Sequence, residues 1–204
     1  MLRIHLFGHL RLSGAAGPLP FAPRAGGAEL LAYLLLQGDR PVARDALAAA
    51  LWADVDRPGA LARLRRHLHE VERALPPAAP DRPWIVRAAG ELWWNRDVDA
   101  WVDVWAFEAA CRDPARLSEA ADLYAGDLVP ELYADWAFDA RERLRDAYGA
   151  CLRRLVDQRR ASGDHAGAVE AARRALAHDP AAEDVGRALM ALLYAQGDRG
   201  AALD

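Results

Sequence analysis

Apolar and polar residues alternate along the first part of the chain and then change to a helical period. The alternation over residues 2–12 predicts a strand, with a break at Gly8. A turn at 14–20 and a short edge strand at 19–21 complete a small sheet. Such a sheet has one apolar face and needs helices to cover it.

Three helices are predicted next, at residues 25–37, 43–52 and 59–75. Gly38 ends the first of them, and Pro58 is placed to begin the third. The third helix repeats its apolar residues at alternating spacings of three and four, which places them on one face. These residues are Leu61, Leu64, Leu68, Val71 and Leu75.

A proline-rich loop at 76–83 precedes two short strand patterns, 84–87 and 91–94, around a turn. A strand pair directly after three helices is the plan of a winged helix-turn-helix. The tip of the predicted wing lies at 87–90.

The polar side of the third helix carries the candidate chemistry. At about 100° per residue, Arg66 and Arg73 lie opposite the apolar face. The planar guanidinium group pairs with phosphates and with the O6 and N7 atoms of guanine, so this helix is predicted to contact DNA. Glu70 can accept a hydrogen bond from cytosine N4 or pair with Arg66 or Arg73 within the helix, and both alternatives remain open. The predicted DNA-binding residues are Arg63, Arg65, Arg66, His69, Glu70 and Arg73 on this helix, Arg44 at the start of the second helix, and Arg87 at the wing.

From Asp97 the pattern is predicted to be wholly helical. Residues 161–170 align with 195–204 at an offset of 34, which is the tetratricopeptide period. The pattern is interrupted at Asp204, and we expect a chain truncated at its C-terminus. The predicted helices are 101–112, 115–125, 136–161, 165–178, 181–196 and one that begins near 198.

Charge divides the chain in the same way. All 26 basic residues are arginine, and the formal net charge is −4. Residues 1–96 hold 13 arginines against 9 acidic residues, and residues 97–204 hold 13 against 21. A mildly basic half followed by an acidic half suits a DNA module with a partner-binding module. The small basic excess predicts salt-sensitive binding that is helped by dimerisation.

Several function classes find no support in the pattern. No apolar stretch approaches the roughly 20 residues that span a bilayer, and the first residues do not form a signal peptide, so a cytoplasmic protein without membrane contact is predicted. Phosphate-binding loops, catalytic motifs and spaced metal ligands are lacking, and we predict no enzyme, cofactor or metal site. Cys111 and Cys151 are predicted to be buried free thiols.

A series of segments resembles the SARP-type regulators, in which an OmpR-like winged helix precedes a bacterial transcriptional activator domain. The resemblance covers nearly the whole chain and depends on the order of the segments more than on any one of them. They are FGHLRL at 7–12, LLAYLLL at 30–36, RDAL at 44–47, LWAD at 51–54, VDAWVDVWAFE at 98–108, YAGDL at 124–128, and the helix that bears Trp136, Glu142, Arg143 and Leu144.

The resemblance implies an α+β winged helix-turn-helix at residues 1–96, followed by an all-α, tetratricopeptide-like activator domain at 97–204. It also implies binding to double-stranded DNA at tandem direct repeats and contact with RNA polymerase. The helical repeats would bind a partner protein or form a homodimer.

The third helix departs from the family pattern at three positions. Arg63 replaces the usual asparagine, and Glu70 and Glu72 stand where arginine is common, which lowers the positive field of this helix. An alternative hypothesis therefore keeps the fold but makes the winged helix a degenerate module in a protein–protein scaffold that does not bind DNA. The two hypotheses differ in whether a continuous arginine stripe joins the third helix to Arg44 and Arg87.

Overall fold

The computed structural model describes residues 1–21, 23, 25–79 and 81–195. The chain forms two compact units, and each is discontinuous in sequence. The first unit combines Met1–Trp105 with Gly126–Arg141, and the second combines Ala106–Ala125 with the chain from Glu142 onward. Because each unit consists of two separate segments, no single point in the sequence divides them. The domain boundary between residues 96 and 97 remains a prediction.

The elements follow one another in the order of a winged helix and then of a helical array. They are β1 (Leu2–His5), β2 (Arg11–Gly14), β3 (Gly17–Leu19), α1 (Ala25–Gln37), β4 (Val42–Ala43), α2 (Arg44–Leu51), α3 (Arg57–Ala74), β5 (Ile85–Ala88), β6 (Glu91–Trp94), β7 (Ala100–Val102), α4 (Asp103–Arg112), a 3-10 turn (Pro114–Arg116), α5 (Leu117–Leu123), α6 (Asp135–Ala161), α7 (His165–His178) and α8 (Glu183–Ala195). The predicted fold class, an α+β winged helix followed by helices, is confirmed.

A four-stranded sheet in the order β3-β2-β1-β7 opens the first unit. β1 pairs antiparallel with β2 and parallel with β7, so that Ile4 lies between Leu12 and Val102. The prediction that the chain is wholly helical from Asp97, with a helix from 101, is wrong here. Residues 100–102 satisfy the open backbone edge of β1, and the helix begins only at Asp103.

The helix-turn-helix core packs the buried faces of three helices against a second sheet, in the order β4-β6-β5. α1 spans the predicted residues, and Gly38 ends it with a positive φ of 66°. The hairpin between β5 and β6 turns at Ala89 and Gly90, whose φ values of 50° and 83° belong to a tight hairpin turn that favours glycine. The predicted wing is therefore present as a short hairpin.

A buried carboxylate connects the start of the first unit to the start of α4. Asp103 is 3% exposed, and its oxygens accept hydrogen bonds from the backbone N–H groups of Leu6, Phe7 and Val104 at 2.8–3.0 Å. Burial raises the pKa of this carboxyl group, while the three N–H donors and the nearby His5 act in the opposite direction.

A buried guanidinium group fixes the returning segment of the first unit. Gly8 donates to the carbonyl oxygen of Asp127 at 2.8 Å, and Val129 donates to that of Leu6 at 2.9 Å. Arg141, 7% exposed, donates from Nε to the Leu128 carbonyl oxygen at 2.7 Å and from Nη2 to two neighbouring carbonyls. These bonds explain why Gly126–Arg141 belongs to the first unit.

The second unit is helical throughout its described part. Gly163, with a φ of 78°, follows α6, and Asp164 caps α7 by accepting from the N–H of Gly167 at 2.9 Å. α7 and α8 pack through Ala168, Val169, Leu192 and Leu193. The second copy of the predicted repeat, with the helix expected near 198, lies almost entirely outside the described residues. Among those residues, no helix has the length and apolar character needed to cross a membrane.

We expect Asp103→Asn to lower the free energy of unfolding by about 1–3 kcal/mol, because the new amide turns a donor toward backbone donors and leaves one unsatisfied. Urea denaturation followed by tryptophan fluorescence measures this loss. Asp99→Asn is the matched control, since the Asp99 side chain forms an exposed ion pair with the N-terminus, worth less than about 1 kcal/mol. Equal losses in the two variants would contradict the role given to Asp103.

Candidate nucleic-acid interface

α3 buries one face and exposes the arginines that the sequence analysis selected. Arg63, Arg65, Arg66, His69 and Arg73 are all exposed. The buried residues of this helix are Ala60, Leu64, His67, Leu68 and Val71. The buried face is thus rotated from the predicted one, because His67 is buried and Leu61 is half-buried.

His67 is the polar residue at the centre of this packing. It is 5% exposed, and its ring stacks on that of Trp52 with the centroids 5.4 Å apart. Its Nδ1 lies 3.0 Å from Oε2 of Glu70, and its Nε2 lies 3.3 Å from Nη2 of Arg66. The tautomer protonated at Nδ1 satisfies both contacts, since it donates to Glu70 and accepts from Arg66.

The contact with His67 adds a partner for Glu70 beyond the two alternatives considered from the sequence. It also places one of the Arg66 nitrogens beside a buried ring. Sequence reasoning missed His67 as a core residue. The signal was its spacing of three residues from Glu70, which puts both side chains on one side of a helix.

Gly26 provides the space that His67 occupies. A Cβ atom on Gly26 would lie 2.7 Å from Nε2 of His67, which is closer than real Cβ contacts. Gly26 lies in the first turn of α1. A glycine in the first turn of α1 therefore allows α1 and α3 to approach each other around the imidazole.

Three arginines of α3 are available to a ligand. Within residues 1–21, 23, 25–79 and 81–195, the side chains of Arg63, Arg65 and Arg73 form no ion pair or hydrogen bond. Their guanidinium groups are exposed and keep all five donors for solvent or a partner. The arrangement can bind phosphate oxygens and base edges, for which Arg is well suited.

The wing arginine is engaged elsewhere. Arg87 on β5 forms an ion pair with Glu72 on α3, and both side chains are partly exposed. The hairpin turn beyond it, at Ala89 and Gly90, carries no charge. The structure therefore brings Arg87 to α3, but as the partner of an acid that the family pattern does not have.

Arg44 begins α2 beside the wing turn. Its backbone N–H donates to the Gly90 carbonyl oxygen at 3.0 Å, and no side chain caps this end of α2. Its Nε atom is buried and has no hydrogen-bond partner in the described part of the chain. Arg44 and Arg65 line one cavity of about 250 Å³ with an apolar floor that includes Leu64. These two predicted residues are thus brought together.

Asp45, the next residue of α2, is occupied by a bidentate pair. Arg57 at the start of α3 donates to its two oxygens at 2.8 and 3.0 Å. This pair joins the first turns of α2 and α3 and removes Asp45 as a free negative charge beside Arg44. Among the described residues, no group of three or more His, Cys, Asp or Glu side chains is placed to hold a metal ion.

Comparison with known families decides the identity of the helical part. The model of the bacterial transcriptional activator domain matches residues 102–204, just over half of the chain. The chain belongs to the bacterial transcriptional activator domain family. The predicted SARP type is confirmed, and the matched family is one of transcriptional activators.

A solved structure extends the likeness of this activator-domain protein to its winged helix. Mycobacterium tuberculosis EmbR, solved in complex with a low-affinity phosphopeptide, superposes with a TM-score of 0.74 at 21% identity. The likeness covers 99% of this chain and 57% of the EmbR chain, so the chain spans little more than half of EmbR. At this identity the match shows the shared fold. No curated protein matches the sequence.

We expect Gly26→Ala to destabilise the activator-domain protein by about 1–3 kcal/mol, because the added methyl overpacks the site of His67. Thermal or urea unfolding measures the loss. Gly186→Ala is the matched control: it also lies in a helix, nothing stands within 4 Å of its added Cβ, and it should stabilise by about 0.4–1 kcal/mol.

The double variant Gly26→Ala, His67→Ala tests the assigned partner. Removal of the imidazole should relieve the clash, so the double variant should lose less stability than the sum of the two single losses. Additive losses would show that the methyl group meets something other than His67.

Proposed function

We propose that this regulator binds double-stranded DNA with the exposed face of α3 in the major groove and the start of α2 against the phosphate backbone. The observation that carries the proposal is the set of exposed guanidinium groups of Arg63, Arg65 and Arg73, which have no ion pair among the described residues, on one helix of a winged helix-turn-helix. The major groove is about 12 Å wide and admits a helix.

Arg66 is the residue proposed to read bases. It is exposed on α3, and the contact of its Nη2 with the buried His67 limits its side-chain freedom. A guanidinium group that is held before binding loses less entropy when it forms a bidentate pair with guanine. Arg63, His69 and Glu70 flank Arg66 and are proposed to contact neighbouring base edges or phosphates.

Arg44 and Arg65 are proposed to bind a phosphate. They line the same cavity, and the N-terminal N–H groups of α2 have no side-chain cap. Helix N-termini are suited to anions because their free amides and the helix dipole both favour negative charge. Arg73 would contact the backbone farther along α3. Arg87 would do so only when its pair with Glu72 opens.

The helical unit is proposed to bind RNA polymerase, a second copy of the chain, or another protein. Met190 and Tyr194 support a protein contact, because they lie one turn apart on α8 and are 48% and 63% exposed. Paired binding at tandem direct repeats would compensate for the small basic excess of the winged helix.

A second candidate function is a scaffold that does not bind DNA. The pairing of Arg87 with Glu72 favours it, because it takes the single arginine of the wing hairpin out of the basic surface. The uncharged turn at Ala89 and Gly90 favours it too. The scaffold would retain the fold and use its surfaces for proteins alone.

Fluorescence anisotropy with mixed-sequence duplex DNA across a salt series, then with a selected operator, tests the proposal. We expect steep salt dependence, and Arg66→Ala should weaken operator binding by about 5- to 150-fold, as for loss of a base contact worth 1–3 kcal/mol. Arg173→Ala, an exposed arginine on α7, is the matched control and should change little. Absence of binding at low salt would favour the scaffold.

Glu72→Gln should strengthen DNA binding and raise the salt slope by about one, because it frees Arg87 for a phosphate. Anisotropy at two salt concentrations measures both quantities. In an Arg87→Ala background, Glu72→Gln should strengthen DNA binding much less. An equal gain in both backgrounds would mean that Glu72 acts through its own repulsion of DNA and that Arg87 makes no contact.

A further inference from the structure

The two cysteines of the chain meet inside the helical unit. Cys111 on α4 and Cys151 on α6 are 40 positions apart in the sequence. Arg154, three residues after Cys151 on α6, donates to the backbone carbonyl oxygen of Cys111, which places the end of α4 against this part of α6, and the two thiols interact with each other. Both are free thiols; Cys151 is 1% exposed and Cys111 is half-buried. Two packed helices thus bring together the only cysteines among 204 residues.

A cationic group lies beside the pair. Arg154 on α6 donates to the backbone carbonyl oxygen of Cys111, and its positive charge favours the ionised form of both sulfurs. Arg174 on α7 acts in the same direction on Cys151. Reactive thiols occur in such electropositive, partly accessible surroundings.

The two thiols titrate as a pair. The interaction with Cys151 and burial raise the pKa of Cys111, and the same interaction lowers the pKa of Cys151. The Cys151 sulfur also lies 3.6 Å from the Leu117 carbonyl oxygen, a neighbour that favours its protonated form. Loss of one proton leaves the other shared by the two sulfurs, so either of them can carry the charge.

We propose that Cys111 and Cys151 are a reversible oxidation site that takes hydrogen peroxide as its oxidant and closes to a disulfide between α4 and α6. The sulfur of the half-buried Cys111 attacks one peroxide oxygen. The O–O bond breaks, a sulfenic acid forms, and the thiol proton leaves with the hydroxide as water. Cys151 then attacks the Cys111 sulfur and expels a second water. Each sulfur gives up one electron, and peroxide is reduced to two waters.

The juxtaposition explains why a disulfide, rather than further oxidation, is the product. A sulfenic acid on Cys111 forms beside a second sulfur, and this is the arrangement of a resolving cysteine. The bond would require the sulfurs to approach to about 2.05 Å. Because it would cross-link helices 40 positions apart, it would restrict the motion of the helical unit. A thiol reductant would reverse it.

The test uses the full chain, folded and reduced, with hydrogen peroxide as the probe. We expect the intact mass to fall by about 2 Da, both thiols to become unreactive toward iodoacetamide, and peptide mapping to recover one peptide linked through Cys111 and Cys151. Dithiothreitol should restore the mass and both thiols, and the oxidised chain should melt at a higher temperature.

Two variants separate the proposal from ordinary thiol oxidation. Cys151→Ser should stop the reaction at a sulfenic acid on Cys111, trapped by dimedone, and Cys111→Ser should leave the buried Cys151 largely unmodified. Circular dichroism of the reduced variants checks that each is folded. Disulfide-linked dimers, sulfinic acid without the 2 Da loss, or thiols that remain free under peroxide would each overturn the proposal.

Discussion

The first unit depends on a carboxylate that accepts hydrogen bonds from backbone groups nearly one hundred residues away. β1 ends at His5, and the N–H groups of Leu6 and Phe7 would lose their carboxylate acceptor if Asp103 were absent. A buried N–H group without an acceptor costs free energy. The hydrogen bonds that Asp103 accepts avoid this cost and offset the burial of its carboxylate, which raises the pKa. Its position at the first residue of α4 also sets where the strand β7 ends and helix begins.

The site and the core share residues on α3, and this limits how its electrostatics can vary. From the sequence, Glu72 is expected to lower the positive potential of α3. In the structure, Arg87 on β5 forms an ion pair with Glu72 and neutralises its charge. Glu70 is likewise bonded to the buried His67. The positive charge that remains available is concentrated along α3 and at the start of α2, while the wing contributes mainly packing and the backbone contact of Gly90 with Arg44.

The parts that sequence reasoning predicted are those determined by local periodicity. The extent of α1 and the exposure of Arg66 and Arg73 follow from the spacing of apolar residues along a single helix. β7 could not be found in this way, because three residues become a strand only when β1 offers an edge. The burial of His67 depends on Gly26 and Trp52 in other elements, and the pairing of Arg87 with Glu72 joins a strand to a helix. Such features require the tertiary fold.

The discontinuity of the first unit bears on how regulators of this type can exchange parts in evolution. A recombination that cut the chain after residue 96 would transfer a winged helix without β7, without Asp103 and without the segment that carries Arg141. The recipient would inherit an open strand edge and buried donors that its own activator domain would have to satisfy. Winged helix and activator domain are therefore expected to be inherited together, and to vary together at the positions where their segments interleave.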